Sequence, residues 1–155
     1  MVDQVKELAG KVAIVTGSSR NIGRATAEEL ARAGAAVVIN AVQAKDLCEE
    51  VAEGIRAAGG KAIPVMADVR DPDAVRAMAE TAVKEFGGID ILVANAANRS
   101  NTPFESLTWE VWKQTIDISI HGTDSVSMKR EASAPRDAAA TMVLSSNTVL
   151  SAVLH

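Results

Sequence analysis

The stretch Thr16 to Gly23, TGSSRNIG, combines two spaced glycines, Gly17 and Gly23, with a polar turn that leads into a helical pattern. Residues of these types do one kind of chemistry well, which is to bind an anion. The first amides of a helix have no carbonyl partner and sit at the positive end of its dipole, and glycine lets a phosphate reach the backbone. A pyrophosphate fits such a turn, with Gly17, Ser19, Arg20, Asn21, Ile22 and Gly23 around it. The spacing misses G-x-G-x-x-G, so the turn taken alone is equally consistent with a plain βα connection. Further on, VLSSN places Ser145 and Ser146 behind an apolar run. A serine there can hold a carbonyl or a hydroxyl, but it cannot by itself move a proton. The sequence contains no tyrosine. Histidine has a suitable pKa for proton transfer, yet His155 is terminal and His121 reads as helix-end surface, so neither is assigned that task.

These residues need a frame. Short apolar runs without alternation recur at 12 to 16, 36 to 40, 62 to 67, 89 to 95 and 140 to 145, as strands buried on both faces require. Helical patterns separate them: Ile22 to Ala33, Ala44 to Ala58, Asp71 to Phe86 and Ser106 to His121. In DPDAVRAMAETAVKEFGG the cues agree, because Asp71 can cap, Pro72 suits the first turn, Val75, Met78, Ala79, Ala82 and Phe86 share a face, and Gly87 stops the helix. Strands alternating with helices imply βαβ crossovers and a doubly wound parallel sheet of the α/β class. Phe104, Trp109 and Trp112 are expected to pack into the core from the helix after the fourth strand. The segment Asp124 to Asp137 has few apolar positions and a proline, and reads as a short or frayed helix.

Composition excludes several classes of function. At 155 residues and 48% hydrophobic, the chain suits one domain, 1–155, with a substantial core. Sixteen basic and 20 acidic residues leave a net charge of -4 with no basic patch, so no nucleic acid is expected. The charged amino terminus and the lack of a long apolar run point to a cytoplasmic protein with no membrane partner. The single cysteine, Cys48, lies at helical spacing among apolar residues and reads as core filler.

From about Leu8 onward the sequence resembles the short-chain dehydrogenase/reductase family. Its glycine motif, T-G-x-x-x-G-x-G, is matched by TGSSRNIG with Asn21 in place of the middle glycine. Asparagine is the residue best able to share glycine's positive φ. Asp68 and Val69 in VMADVRD match the family's acidic position after the third strand, which contacts adenine. Its N-N-A-G motif appears as ANAA, keeping Asn95 and Ala96, and Ser146 matches the family's active-site serine.

The resemblance implies a Rossmann-like sheet of about five strands in the order 3-2-1-4-5. It also implies hydride transfer between a nicotinamide and a carbonyl or secondary alcohol. An NAD enzyme usually carries a carboxylate at the end of the second strand. Here Asn40, Ala41, Val42 and Gln43 supply none, while Arg20 matches a position often basic in NADP-dependent members. NADP(H) is therefore favoured over NAD(H), although Arg20 also reads as a solvated loop charge. Ser119 stands where the family commonly has a water-holding asparagine. The family's Y-x-x-x-K pair, whose lysine lowers the tyrosine's pKa, does not occur in the 155 residues. The chain is accordingly expected to be incomplete relative to the family and inactive by itself, with its fifth strand an apolar edge open to a second copy. The alternative is a non-catalytic module that binds a dinucleotide or a partner.

Overall fold

Apolar residues on consecutive positions become strands only where both faces of a sheet are covered, and that condition is met here. The computed structural model describes residues 6–97, 103–118, 140–145 and 148–152. Strands β1 (Val12–Val15), β2 (Ala36–Ala41), β3 (Lys61–Met66) and β4 (Ile91–Ala94) alternate with helices α1 (Asn21–Arg32), α2 (Lys45–Ala57) and α3 (Pro72–Phe86). Helix α4 (Trp109–Ile116) follows, then β5 (Ala140–Ser145) and β6 (Thr148–Ala152). The sheet order is β3-β2-β1-β4-β5-β6, parallel from β3 through β5.

Alternate strand residues feed two cores. Ala13, Val15, Val37, Ile39 and Val93 pack with Ala27 and Ala31 of α1 and with Cys48, Val51, Ala52 and Ile55 of α2. On the opposite face Ile14, Val38 and Leu92 meet Val75, Met78 and Ala82 of α3. Period-two alternation thus sends neighbouring apolar residues to different layers, which is why the strand sequences show no polar alternation. Cys48 is fully buried in the first core, as its spacing suggests. Pro64 sits in β3, the edge strand, where its missing N-H costs no ladder bond on the outer side.

Helix α3 ends as its sequence dictates. The Asp71 carboxylate accepts from the Asp73 amide at 2.9 Å, Pro72 occupies the first turn, and Gly87 closes the helix at φ 86°. Asp90, missed in the sequence, is buried; its Oδ2 accepts from the Val12 amide at 2.9 Å and its Oδ1 from Lys11 Nζ at 3.4 Å, tying β1 to the start of β4.

Two expectations are corrected. Helix α4 is shorter than the sequence pattern and has no buried residue: Trp109 is 71% exposed and Trp112 49%. Their spacing puts both on one helix face, but periodicity says nothing about whether that face is covered. The outer edge of β5 is also not bare, because β6 pairs antiparallel with it from Thr141↔Ala152 to Ser145↔Thr148. An antiparallel return after two residues takes up the row of backbone groups that a lone edge strand would leave open. The segment 124 to 137 lies outside the described residues. Among those described, no helix is long and apolar enough to cross a membrane.

Candidate functional site

In the order β3-β2-β1-β4 the chain winds outward from β1 in one direction, then returns to place β4 on the other side. At such a reversal the loops leaving the carboxyl ends of the two central strands diverge and open a crevice. A cleft of about 850 Å³ lies there, within the size range of small-ligand sites. Its walls come from the β1–α1 turn, the β2–α2 and β3–α3 loops, the residues after β4, and Ile118. Gly17, Ser19, Arg20, Asn21, Ile22, Gly23, Asn40, Asp68, Val69, Asn95 and Ala96 all stand on that wall. Ser119 and Ser146 lie outside the described residues.

The turn is built from buried and half-buried polar side chains that the sequence motif contains but does not explain. Thr16 Oγ1 accepts from the amides of Asn95 and Ala96, both at 3.0 Å. Ser18 Oγ donates to the Val15 carbonyl at 2.6 Å and accepts from the Asn40 amide at 2.9 Å. The Asn95 side-chain amide donates to the carbonyls of Thr16 and Gly17 at 3.0 and 3.1 Å. Together these bonds fix the glycine turn to both central strands. They also fix how closely α1 approaches it: a Cβ on Gly23 would stand 2.5 Å from Asn95 Nδ2 and overlap the Gly17 carbonyl oxygen.

Two positions in the turn have left-handed backbone, Gly17 at φ 64° and Asn21 at φ 51°. Asn21 is the only non-glycine with positive φ among the described residues, and it stands where the family's motif has its middle glycine. Helix α1 begins without a side-chain cap, since Arg20 at its N-cap makes none. The first of its amides to find a backbone carbonyl among the described residues is that of Arg24, bonded to Arg20 O at 3.1 Å. The head of α1 therefore offers unpaired N-H groups to the cleft, with no acidic residue in its first turn.

Asn40 lines the cleft but spends its amide inside the protein. It is 1% exposed. Its Oδ1 accepts from the Gly17 amide at 3.3 Å, and its Nδ2 donates to the carbonyls of Val65 and Ala67, both at 3.1 Å. At the end of β2 the cleft is then lined by Ala41 and by Val42, Gln43 and Ala44 of the following loop, and the exposed Arg20 lines the same cleft. At the β3 end, Asp68 is gripped by Arg70, which lowers the carboxyl pKa mainly through their side-chain hydrogen bonds. Arg70 and Ile118 belong to the wall and were not singled out from the sequence; the Asp-x-Arg spacing is a signal only once the loop's turn is known.

Residues 11–140 match the family model described as short chain dehydrogenase, and the chain belongs to that family. An uncharacterized oxidoreductase of Methylorubrum extorquens is 43% identical over 118 residues, 76% of this chain and 48% of that protein. Glucose 1-dehydrogenase 2 of Bacillus subtilis is 38% identical over 119 residues, 76% of this chain and 46% of that one. The chain thus spans about half the length of the curated relatives it matches. Among solved structures, a short chain dehydrogenase from Burkholderia cenocepacia in complex with NADP superposes with a TM-score of 0.77 at 36% identity. That match covers 82% of this chain and 52% of the other.

Proposed function

We propose that residues 1–155 form one unit that binds NADP(H) in preference to NAD(H). The observation that carries this reading is the cleft lining at the end of β2, where Ala41 to Ala44 supply no carboxylate, together with Arg20 in the same lining. A 2'-phosphate there meets a guanidinium suited to phosphate geometry and no opposing anion. The diphosphate fits the head of α1, where unpaired amides, Gly17 and Gly23 allow backbone approach. Asp68, Val69, Asn95 and Ala96 line the side where the base would lie.

When bound, the nicotinamide supplies hydride exchange with a carbonyl or secondary alcohol. Ser146 is assigned the orientation of that substrate group, and Ser119 the place of the family's water-holding asparagine. With a hydroxyl in place of an amide, Ser119 holds a water through a shorter reach and a different donor pattern. A proton must also reach the substrate oxygen, and these residues contain no tyrosine to deliver it. These residues are therefore read as the dinucleotide-binding part of the reaction, which also needs a tyrosine and a lysine beside the nicotinamide. We place the chain in the cytoplasm, with the edge of β6 as the face open to a second copy.

The test is a titration with NADPH and with NADH, followed by cofactor fluorescence, on the wild type and on Arg20→Ala. The reading expects tighter NADPH binding, and a loss in Arg20→Ala that falls mainly on NADPH. Equal losses for the two cofactors would remove Arg20 from the 2'-phosphate.

A further inference from the structure

We propose that Arg70 is a latch on Asp68, closed at the rim of the cleft, which a ligand's amino group must displace to reach that carboxylate. The inference rests on the dinucleotide reading above. Asp68 Oδ1 accepts from the Arg70 backbone amide at 2.9 Å and from its Nε at 3.0 Å. Oδ2 accepts from the second guanidinium nitrogen at 2.6 Å and again from Nε at 3.1 Å. A carboxylate offers about four acceptor directions. Three N-H groups of one residue, with the Nε-H shared between the two oxygens, take up most of them, so Asp68 stands on the cleft wall with both oxygens engaged.

The grip is reversible by construction. Only the backbone amide is fixed by the loop; the three side-chain contacts end a flexible stem whose side chain is 46% exposed. A second carboxylate, Asp117 at the end of α4, adds a weaker electrostatic attraction on Arg70. Asp117 already accepts from Lys113 Nζ at 2.6 Å, and the next residue, Ile118, forms the rim of the cleft. Swinging Arg70 away frees Oδ2 and one direction on Oδ1.

Chemistry then separates two classes of base. An open, ionised Asp68 accepts hydrogen bonds and makes none, so it favours an exocyclic amine and repels a ring carbonyl. A closed latch does the reverse, because it presents guanidinium N-H groups. Adenine requires the open state and hypoxanthine is compatible with the closed one. Arg70 therefore weakens the discrimination that Asp68 alone would impose.

The experiment measures the affinities of NADPH and of its hypoxanthine analogue, both by nicotinamide fluorescence, for wild type, Arg70→Ala, Arg70→Met and Asp68→Asn/Arg70→Ala. Circular dichroism establishes that each variant is folded. Losing a positive charge weakens both ligands alike, so the ratio of affinities is the readout. The latch predicts a ratio in favour of NADPH that rises about two- to fivefold in Arg70→Ala, the range of an exposed ion pair, and returns in the double variant. An unchanged or falling ratio in both Arg70 variants, with the wild type binding NADPH, overturns the latch alone. Failure of every folded variant to bind either ligand overturns the dinucleotide reading and the latch with it.

Discussion

Replacing Gly23 with alanine tests the architecture of the turn most directly. A new Cβ would stand 2.5 Å from Asn95 Nδ2, closer to the Gly17 carbonyl oxygen, and 3.0 Å from that carbonyl's carbon. Backbone on one side and a doubly bonded amide on the other leave no flexible end to yield. Either α1 lifts from the turn, or Asn95 gives up its bonds to Thr16 and Gly17. Overpacking of this kind costs about 1 to 3 kcal/mol, and a lost buried hydrogen bond about 1 more. Alanine returns up to about 1 kcal/mol of helix propensity, and less in a first turn. The net loss is about 2 kcal/mol, or a melting temperature lower by about 6 °C for a chain of this size. Gly54, exposed in the last turn of α2 with no atom within 4 Å of its added Cβ, is the control. Gly54→Ala should gain up to about 1 kcal/mol, at most about 3 °C, by propensity alone. Thermal melts followed by circular dichroism at 222 nm measure both. A Gly23→Ala protein as stable as Gly54→Ala would refute the close approach of α1 to the turn, and with it the account of why a glycine stands there.

Further outcomes at four positions follow from the same geometry. At Asn21, whose φ is 51°, glycine should leave stability within about 0.5 kcal/mol of wild type, whereas valine should cost at least about 1 kcal/mol, because a left-handed backbone penalises a branched side chain; urea denaturation reads both. Asn40→Asp should lose about 3 kcal/mol, since a carboxylate cannot donate to the Val65 and Ala67 carbonyls and is buried among them; the urea midpoint reports the loss. Ala41→Asp, at the more open end of β2, should instead keep the fold and turn preference toward NADH, as paired titrations with NADH and NADPH would show. Burial pushes the Cys48 thiol up from 9.0 to about 11. The folded state then holds its proton more tightly than the unfolded one, so this contribution to stability is intact below about pH 9 and lost as pH rises towards 11. Cys48 should also react with a thiol reagent at pH 8 only at the rate of unfolding, in contrast to a rapid reaction in urea.

The parallel sheet was legible because strand burial on two faces leaves an unmistakable trace, runs such as VAIV and AVVI that no half-exposed strand would carry. Helix α3 was legible to the residue, since Asp71, Pro72 and Gly87 each act through local backbone chemistry. The failures share a cause. Trp109 and Trp112 are placed on one face by spacing, but what covers a face is decided by other elements of the chain. The pairing of β6 with β5 likewise depends on a return of the chain within two residues, in a stretch with none of the glycine or asparagine-glycine signals that mark a tight hairpin. Arg70 escaped notice because its importance lies in both oxygens of Asp68 being turned toward it, a property of the loop and not of either residue type.

Asn40 shows why position in a motif and role in a site have to be argued separately. It stands near the end of β2, next to the place where a dinucleotide-binding chain presents its ribose partner, and it is polar, so the sequence assigns it to the cofactor. In the structure its oxygen is taken by Gly17 and both donors of its amide by β3 and the residue after it. With its own backbone amide bonded to Ser18, it is the point where the glycine turn, β2 and β3 are fastened together. A side chain so engaged cannot also recognise a ligand without loosening the glycine turn it helps to fasten. On the proposed reading, selection between cofactors then falls to the residues beyond it, Ala41 to Ala44, and to Arg20 on the same cleft wall. That division places the stabilising hydrogen bonds under the cleft and the choice of ligand on its rim, where a substitution alters affinity without unfastening the strands.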